Sequence, residues 1–105
     1  MARAIRWTEV ATDDLHEAAR FIARDSPYYA AAFVGDVRKT ARSLHHSPER
    51  GRIVPESNRS DIRELLIKSY RLIYQVTDYE VFILAFIHGA RDLDTLWKQW
   101  SVYET

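Results

Sequence analysis

Three side chains in the second half of the chain could act on a phosphate group. Arg71 and Arg91 carry guanidinium groups, which can hold a phosphate or a carboxylate through two parallel hydrogen bonds. His88 carries an imidazole, which suits acid–base chemistry because it titrates near neutral pH. The alternative for His88 is that it simply ends a strand. The alternative for the arginines is pairing with acidic residues, with Glu56, Glu64 and Asp92 as candidates.

The composition excludes several other kinds of site. The chain has no cysteine, which excludes disulfides, thiolate-bound metals and thiol nucleophiles. His45 and His46 are adjacent, so on a helix they diverge by about 100° and are poorly placed to share a metal ion. No His-Glu-x-x-His motif or equivalent occurs around His16. We therefore expect surface positions for these three histidines, no metal site and no cofactor.

The overall charge is balanced, and the chain is the size of one domain. Its 105 residues are 47% hydrophobic and 29% charged, which excludes a disordered chain and predicts a single domain over residues 1–105. Fifteen basic and fifteen acidic residues cancel, whereas proteins that grip nucleic acid usually carry a basic excess. The longest apolar run, residues 81–87, is too short to cross a membrane, and the N-terminus lacks a signal-peptide core. These features predict a cytoplasmic protein.

Hydrophobic periodicity predicts a strand and two helices in the first half of the chain. Alternation over residues 3–7 predicts the strand. Thr8 can cap a first helix, whose apolar residues recur at helical spacing as far as residue 24 or 25. Ser26 followed by Pro27 predicts the start of a second helix that ends before residue 48. Because almost nothing separates the two helices, they should form an antiparallel hairpin.

The second half of the chain has the pattern of strands. Residues 61–67, 70–77 and 81–88 predict three strands joined by tight turns, after an ordered loop over residues 48–60. The last strand is apolar on both faces, which predicts an internal, doubly covered position. Asp92 or Asp94 can cap a short final helix. The predicted fold is α+β in the order β-α-α-β-β-β-α, with a small, mostly antiparallel four-stranded sheet and the N-terminal helical hairpin on one face.

Short motifs occur in register along nearly the whole chain. They are Ala11-x-x-Asp14-Leu15, the stretch 21–27 with Ala31 and Phe33, Pro48-x-x-Gly51-Arg52-x-Val54-Pro55-Glu56, Ile62-Arg63-Glu64-Leu65, the stretch 69–76, and Ile87-His88-Gly89-Ala90-Arg91-Asp92-Leu93. Together they resemble the RelE/ParE superfamily of bacterial type II toxins. The third and fourth motifs are most similar to the ParE branch and its plasmid-stabilisation relatives.

The resemblance implies a small toxin that is neutralised by an antitoxin encoded beside it. ParE-like members poison DNA gyrase and need no catalytic residues of their own. RelE-like members cut messenger RNA on the ribosome, and Arg71, His88 and Arg91 match positions relevant to that activity. Glu56 would then be either a general base or an ion-pair partner, and we favour the ion pair.

Three departures from the nuclease pattern favour the ParE reading. Ile62 and Glu64 stand where the nucleases place lysines, and Trp97 stands near the position of their catalytic tyrosine. Zero net charge agrees with these departures, because a ribosome-dependent nuclease works inside a polyanion. The prediction is a ParE-like gyrase inhibitor that arrests growth. The alternatives are an mRNA endonuclease, or a detoxified member that acts only in its antitoxin complex.

Aromatic residues near the C-terminus are candidates for binding the target. Trp97, Trp100 and Tyr103 recur at helical spacing, and such side chains often anchor protein interfaces. For Trp97 the competing interpretation is packing across the sheet. Arg63 and Arg71 are further candidates for contact with the target. The helical hairpin and an exposed sheet face are the expected landing sites for an antitoxin segment that folds on binding.

Overall fold

The computed structural model describes residues 2–89 and begins with a strand and two helices. Strand β1 spans Ala4–Trp7, helix α1 spans Glu9–Ala23 and helix α2 spans Pro27–Arg42. The Thr8 hydroxyl accepts from the Ala11 N–H at the start of α1, and the Ser26 hydroxyl accepts from the Tyr29 N–H at the start of α2. The predicted strand, helical hairpin and both caps are therefore confirmed.

Five strands form a single sheet in the order β1-β5-β4-β3-β2. The remaining strands are β2 (Arg52–Ile53), β3 (Ile62–Ile67), β4 (Tyr70–Val76) and β5 (Glu80–His88). β1 runs parallel to β5, and the other three pairings are antiparallel. The prediction of four strands was wrong by one. β2 has only two residues, both exposed, so its segment carries no hydrophobic alternation that could have predicted it.

Both faces of the sheet are covered by apolar residues. On the helix side, α1 and α2 pack against β4 and β5 around a core that includes Leu15, Val37 and Tyr74. Each fully buried aliphatic side chain there stabilises the fold by about 1.5–3 kcal/mol. A second cluster, which includes Ile73 and Ala85, covers the opposite face. The internal, doubly covered position predicted for the last strand is confirmed by β5.

The segment between α2 and β3 is ordered by one buried tyrosine. The Tyr74 hydroxyl donates to the Pro48 carbonyl at 2.7 Å and accepts from the Gly51 N–H at 2.9 Å. A Cβ at position 51 would lie 2.5 Å from both the Tyr74 hydroxyl and the Glu64 carbonyl oxygen. The segment therefore needs glycine at this position.

Some expectations concern residues that the structure does not describe. The predicted helix after Asp92 or Asp94 lies outside residues 2–89. The single domain over residues 1–105 stays a prediction for the same reason. Neither described helix is long and apolar enough to span a membrane.

Candidate functional site

Arg71 lies at the centre of a buried ion network on the sheet face opposite the helices. Its side chain on β4 is 9% exposed. The guanidinium Nε donates to Glu64 Oε1 at 2.5 Å, and Nη2 donates to Glu56 Oε1 at 3.1 Å. Nη1 makes a longer contact of 3.4 Å with Glu56 Oε2. Two carboxylates thus hold the cation from two sides.

Glu64 connects Arg71 to a second arginine. Its side chain on β3 is fully buried, and Oε2 accepts from the Nε of Arg52 at 2.5 Å. Strand register explains the contact, because Arg52 on β2 is the direct cross-strand partner of Glu64. We call Arg52, Glu56, Glu64 and Arg71 the ion network. Its formal charge is zero.

The ion network favours the charged forms of Glu56 and Arg71. The hydrogen bond from Arg71 lowers the pKa of Glu56, against a smaller opposing effect of burial. Burial by itself would lower the pKa of Arg71, but its hydrogen bonds to Glu56 and Glu64 and the charges of these partners raise it overall. A shallow pocket of about 240 Å³ opens over the network and is also lined by Leu66. Any ligand entering it meets Arg71 already neutralised.

His88 lies on the other side of the sheet. Arg71 pairs with Ile87 across β4 and β5, and Tyr70 pairs with His88, so alternation places Arg71 and His88 on opposite faces. The exposed His88 ring meets the Tyr70 ring edge-on, with centroids 5.6 Å apart. The two residues therefore do not converge on one reacting atom.

The remaining predicted site residues are distributed as follows. Arg63 donates from Nη1 to the Gly51 carbonyl at 2.8 Å and to the Glu49 carbonyl at 3.3 Å, so it fastens the loop before β2. Arg91, Trp97, Trp100 and Tyr103 lie outside the described residues. Within residues 2–89, no cluster of three or more histidine, aspartate or glutamate side chains could hold a metal ion.

Arg52 is the network member that was not predicted from the sequence. It lies in the third sequence motif, but its cross-strand pairing with Glu64 could be inferred only if β2 had been predicted. Glu64 was noted as a departure from the nuclease pattern and as one candidate partner of Arg71. Glu64 and Arg71 could be linked from the sequence because they lie on adjacent predicted strands joined by a tight turn.

Residues 5–93 match the sequence family described as the ParE toxin of type II toxin–antitoxin systems, parDE. The match covers most of the chain. This chain belongs to the ParE toxin family. No curated protein matched the sequence.

Solved structures agree with the ParE assignment at the level of the fold. A chain of the chromosomal ParDE toxin–antitoxin system from P. aeruginosa has a TM-score of 0.69 and 21% identity, covering 83% of this chain and 96% of that one. A chain of the RelBE2 toxin–antitoxin complex from Mycobacterium tuberculosis has a TM-score of 0.60 and 26% identity, covering 84% and 99%. The RelE/ParE-like fold predicted from the motifs is confirmed.

Proposed function

We propose that this ParE family member arrests growth by inhibiting DNA gyrase, without catalytic residues of its own, and is silenced by a cognate antitoxin. The observation that carries the proposal is the neutralised Arg71. A nuclease that cleaves RNA needs a cation to stabilise charge on the crowded phosphate. In this chain the corresponding cation is Arg71, which donates to Glu56 and Glu64. Arg52 donates to the same Glu64.

Electrostatics around Arg71 support the same proposal. A phosphate approaching Arg71 would have to displace Glu56 and would still face the buried carboxylate of Glu64. Phosphate and carboxylate compete for the same guanidinium donors, so the intramolecular partners disfavour the nucleic acid. His88 lies on the opposite sheet face, so it is not positioned to transfer a proton at a phosphate held by Arg71.

The proposed antitoxin contact lies on the helical hairpin. Arg38, Lys39 and Arg42 are clustered near the end of α2, and none of their side chains pairs with a carboxylate of residues 2–89. Arg38 and Arg42 also line a groove of about 290 Å³ with Trp7, Thr12 and Leu15. Such a groove suits an amphipathic segment with acidic side chains at its rim. The toxin–antitoxin complexes among the similar structures support an antitoxin as the partner.

The proposed gyrase contacts include the C-terminal aromatics. Trp97, Trp100 and Tyr103 keep their role as target-binding candidates, together with Arg63 and Arg71. Arg63 and Arg71 are already engaged with the loop and with the ion network, so we assign them to shaping the surface that meets the target. Removing residues 93–105 should therefore abolish inhibition of the target while leaving residues 2–89 folded.

A short induction of the toxin alone in a bacterial host tests the proposal. Continued protein synthesis in pulse-labelled cells, with filamentation and a DNA-damage response, is the expected result. Purified gyrase should lose supercoiling activity when the toxin is added and recover it when the antitoxin is added. A prompt stop in translation with cut messages would overturn gyrase inhibition in favour of RNA cleavage. Normal growth with neither effect would overturn both activities and favour the alternative of a detoxified family member that acts only in its antitoxin complex.

A further inference from the structure

A second pocket lies on the helix side of the sheet, away from the ion network. It has a volume of about 220 Å³ and opens between α1 and the carboxyl end of β5. Asp14, Glu17 and Phe21 line it from α1, and Tyr70, Phe86 and His88 line it from β4 and β5. We call it the α1–β5 pocket.

Aromatic rings form the walls of the α1–β5 pocket. The Tyr70 and Phe86 rings are stacked, with centroids 4.8 Å apart and planes inclined by 6°. Phe21 stands at the rim with 64% of its surface exposed. Its ring already meets one cation, since the guanidinium carbon of Arg24 lies 5.8 Å from the ring centroid.

Two carboxylates, those of Asp14 and Glu17, line the α1–β5 pocket. Asp14 Oδ2 accepts from the Phe86 N–H at 3.0 Å, which fixes that carboxylate beside the strand. The Glu17 carboxylate is exposed and makes no hydrogen bond or ion pair with any residue of the described range. Among the described lining residues there is no lysine or arginine. Aromatic walls with carboxylates at the rim favour a cation, and a planar guanidinium can both stack and form two hydrogen bonds.

We propose that the α1–β5 pocket receives an arginine side chain of the antitoxin. The guanidinium stacks against the aromatic walls and its N–H groups donate to the Glu17 carboxylate at the rim. The exposed Phe21 then packs against the antitoxin segment that carries the arginine. The choice of the antitoxin as the source rests on the proposed function. The chemistry of the pocket itself does not depend on it.

The pocket chemistry is tested with a small probe. Nα-acetyl-arginine amide and its uncharged isostere Nα-acetyl-citrulline amide are titrated into the full chain, and amide shifts are followed by NMR. We expect the arginine probe to shift resonances at Phe21, Tyr70 and His88, and to bind about tenfold more tightly than the citrulline probe. Glu17→Gln should remove that preference. Glu9→Gln, which makes the same change at another exposed position of α1, should preserve the preference. Equal binding of both probes, or no shifts at the pocket, would overturn the proposal.

The chain's own arginine at position 91 is the competing occupant, because it follows His88 by three residues. The same titration is therefore repeated with Arg91→Gln. Probe binding that is unchanged by this substitution supports an external arginine. Binding that occurs only in the Arg91→Gln chain would overturn the proposal in favour of an internal contact.

The antitoxin is tested separately by calorimetry. Glu17→Lys should weaken binding of the antitoxin about tenfold or more, and Glu9→Lys should leave it unchanged. Circular dichroism and the melting temperature verify that both variants are folded. Equal antitoxin binding by the wild type and Glu17→Lys would overturn the proposed occupant while the proposed function stands. If the wild type binds no antitoxin, the proposed function fails, and with it the antitoxin as the source of the arginine.

Discussion

Replacing Glu64 with glutamine tests the ion network most directly, because the substitution keeps the shape of the side chain and removes its charge. Glu64 is fully buried and accepts from two guanidinium groups, each at 2.5 Å. Removing one partner of a buried ion pair typically destabilises a protein by about 3–5 kcal/mol, since the other charge is left without compensation.

The magnitude for this chain follows from the surroundings of the two arginines. The side chain of Arg71 is 9% exposed and would keep only Glu56, whereas that of Arg52 is 62% exposed and can be hydrated. We therefore expect Glu64→Gln to lower the free energy of unfolding by about 3 kcal/mol, at the lower end of that range. This corresponds to a fall in melting temperature of about 12 °C or more.

Urea unfolding monitored by circular dichroism measures this loss, and Glu80→Gln is the matched control. Glu80 pairs with Arg6 at the surface, where the two side chains are 32% and 63% exposed, so its substitution should change stability by no more than about 1 kcal/mol. Similar losses in both variants would refute the buried ion network. The double variant Glu64→Leu with Arg71→Met should recover most of the stability, because well-packed apolar residues can replace a buried ion pair.

Three further predictions concern the loop and the response to acid. Gly51→Ala should destabilise the fold by about 2 kcal/mol or more, because its Cβ would meet backbone and hydroxyl atoms at 2.5 Å, and a melting curve measures this. Tyr74→Phe should lower the free energy of unfolding by about 1–3 kcal/mol, because it leaves the Pro48 carbonyl and the Gly51 N–H without their partner. Hydrogen exchange should show that the Gly51 amide is less protected in this variant. Arg71 lowers the pKa of Glu56 below the ordinary value of 4.5, so the unfolded chain binds this proton at higher pH than the folded one. The stabilisation is therefore present above pH 4.5 and is lost as the pH falls through the lower folded value, and Glu56→Gln should flatten the acid limb of a stability–pH curve.

Local signals in the sequence determined most of the elements of the fold. Thr8 and Ser26 are cap residues followed by helical periodicity, so both helix starts could be predicted from neighbouring residues. The strands from β3 to β5 could be predicted because their apolar patterns and tight turns are local as well. β2 could not, because a two-residue strand is defined by its hydrogen-bonding partner and not by its own composition.

The candidate residues themselves were also visible in the sequence. Arg71, His88 and the acidic residues near Arg71 have side chains whose chemistry is independent of the fold, and the motifs placed the chain beside the ParE toxins. The sequence left open whether Arg71 clamps a phosphate or pairs with an acid, since that depends on distances between strands.

Only the tertiary structure decided which of these residues meet. The pairing of β3 with β4 brings Glu64 to Arg71, and the loop after β2 brings Glu56 to the same guanidinium. The register of β4 against β5 sends His88 to the opposite face. Side-chain alternation is a local property, but the register that converts it into contacts arises from long-range pairing of strands. Residue chemistry was thus determined by the sequence alone, and the neutralisation of Arg71 by the way the strands pair.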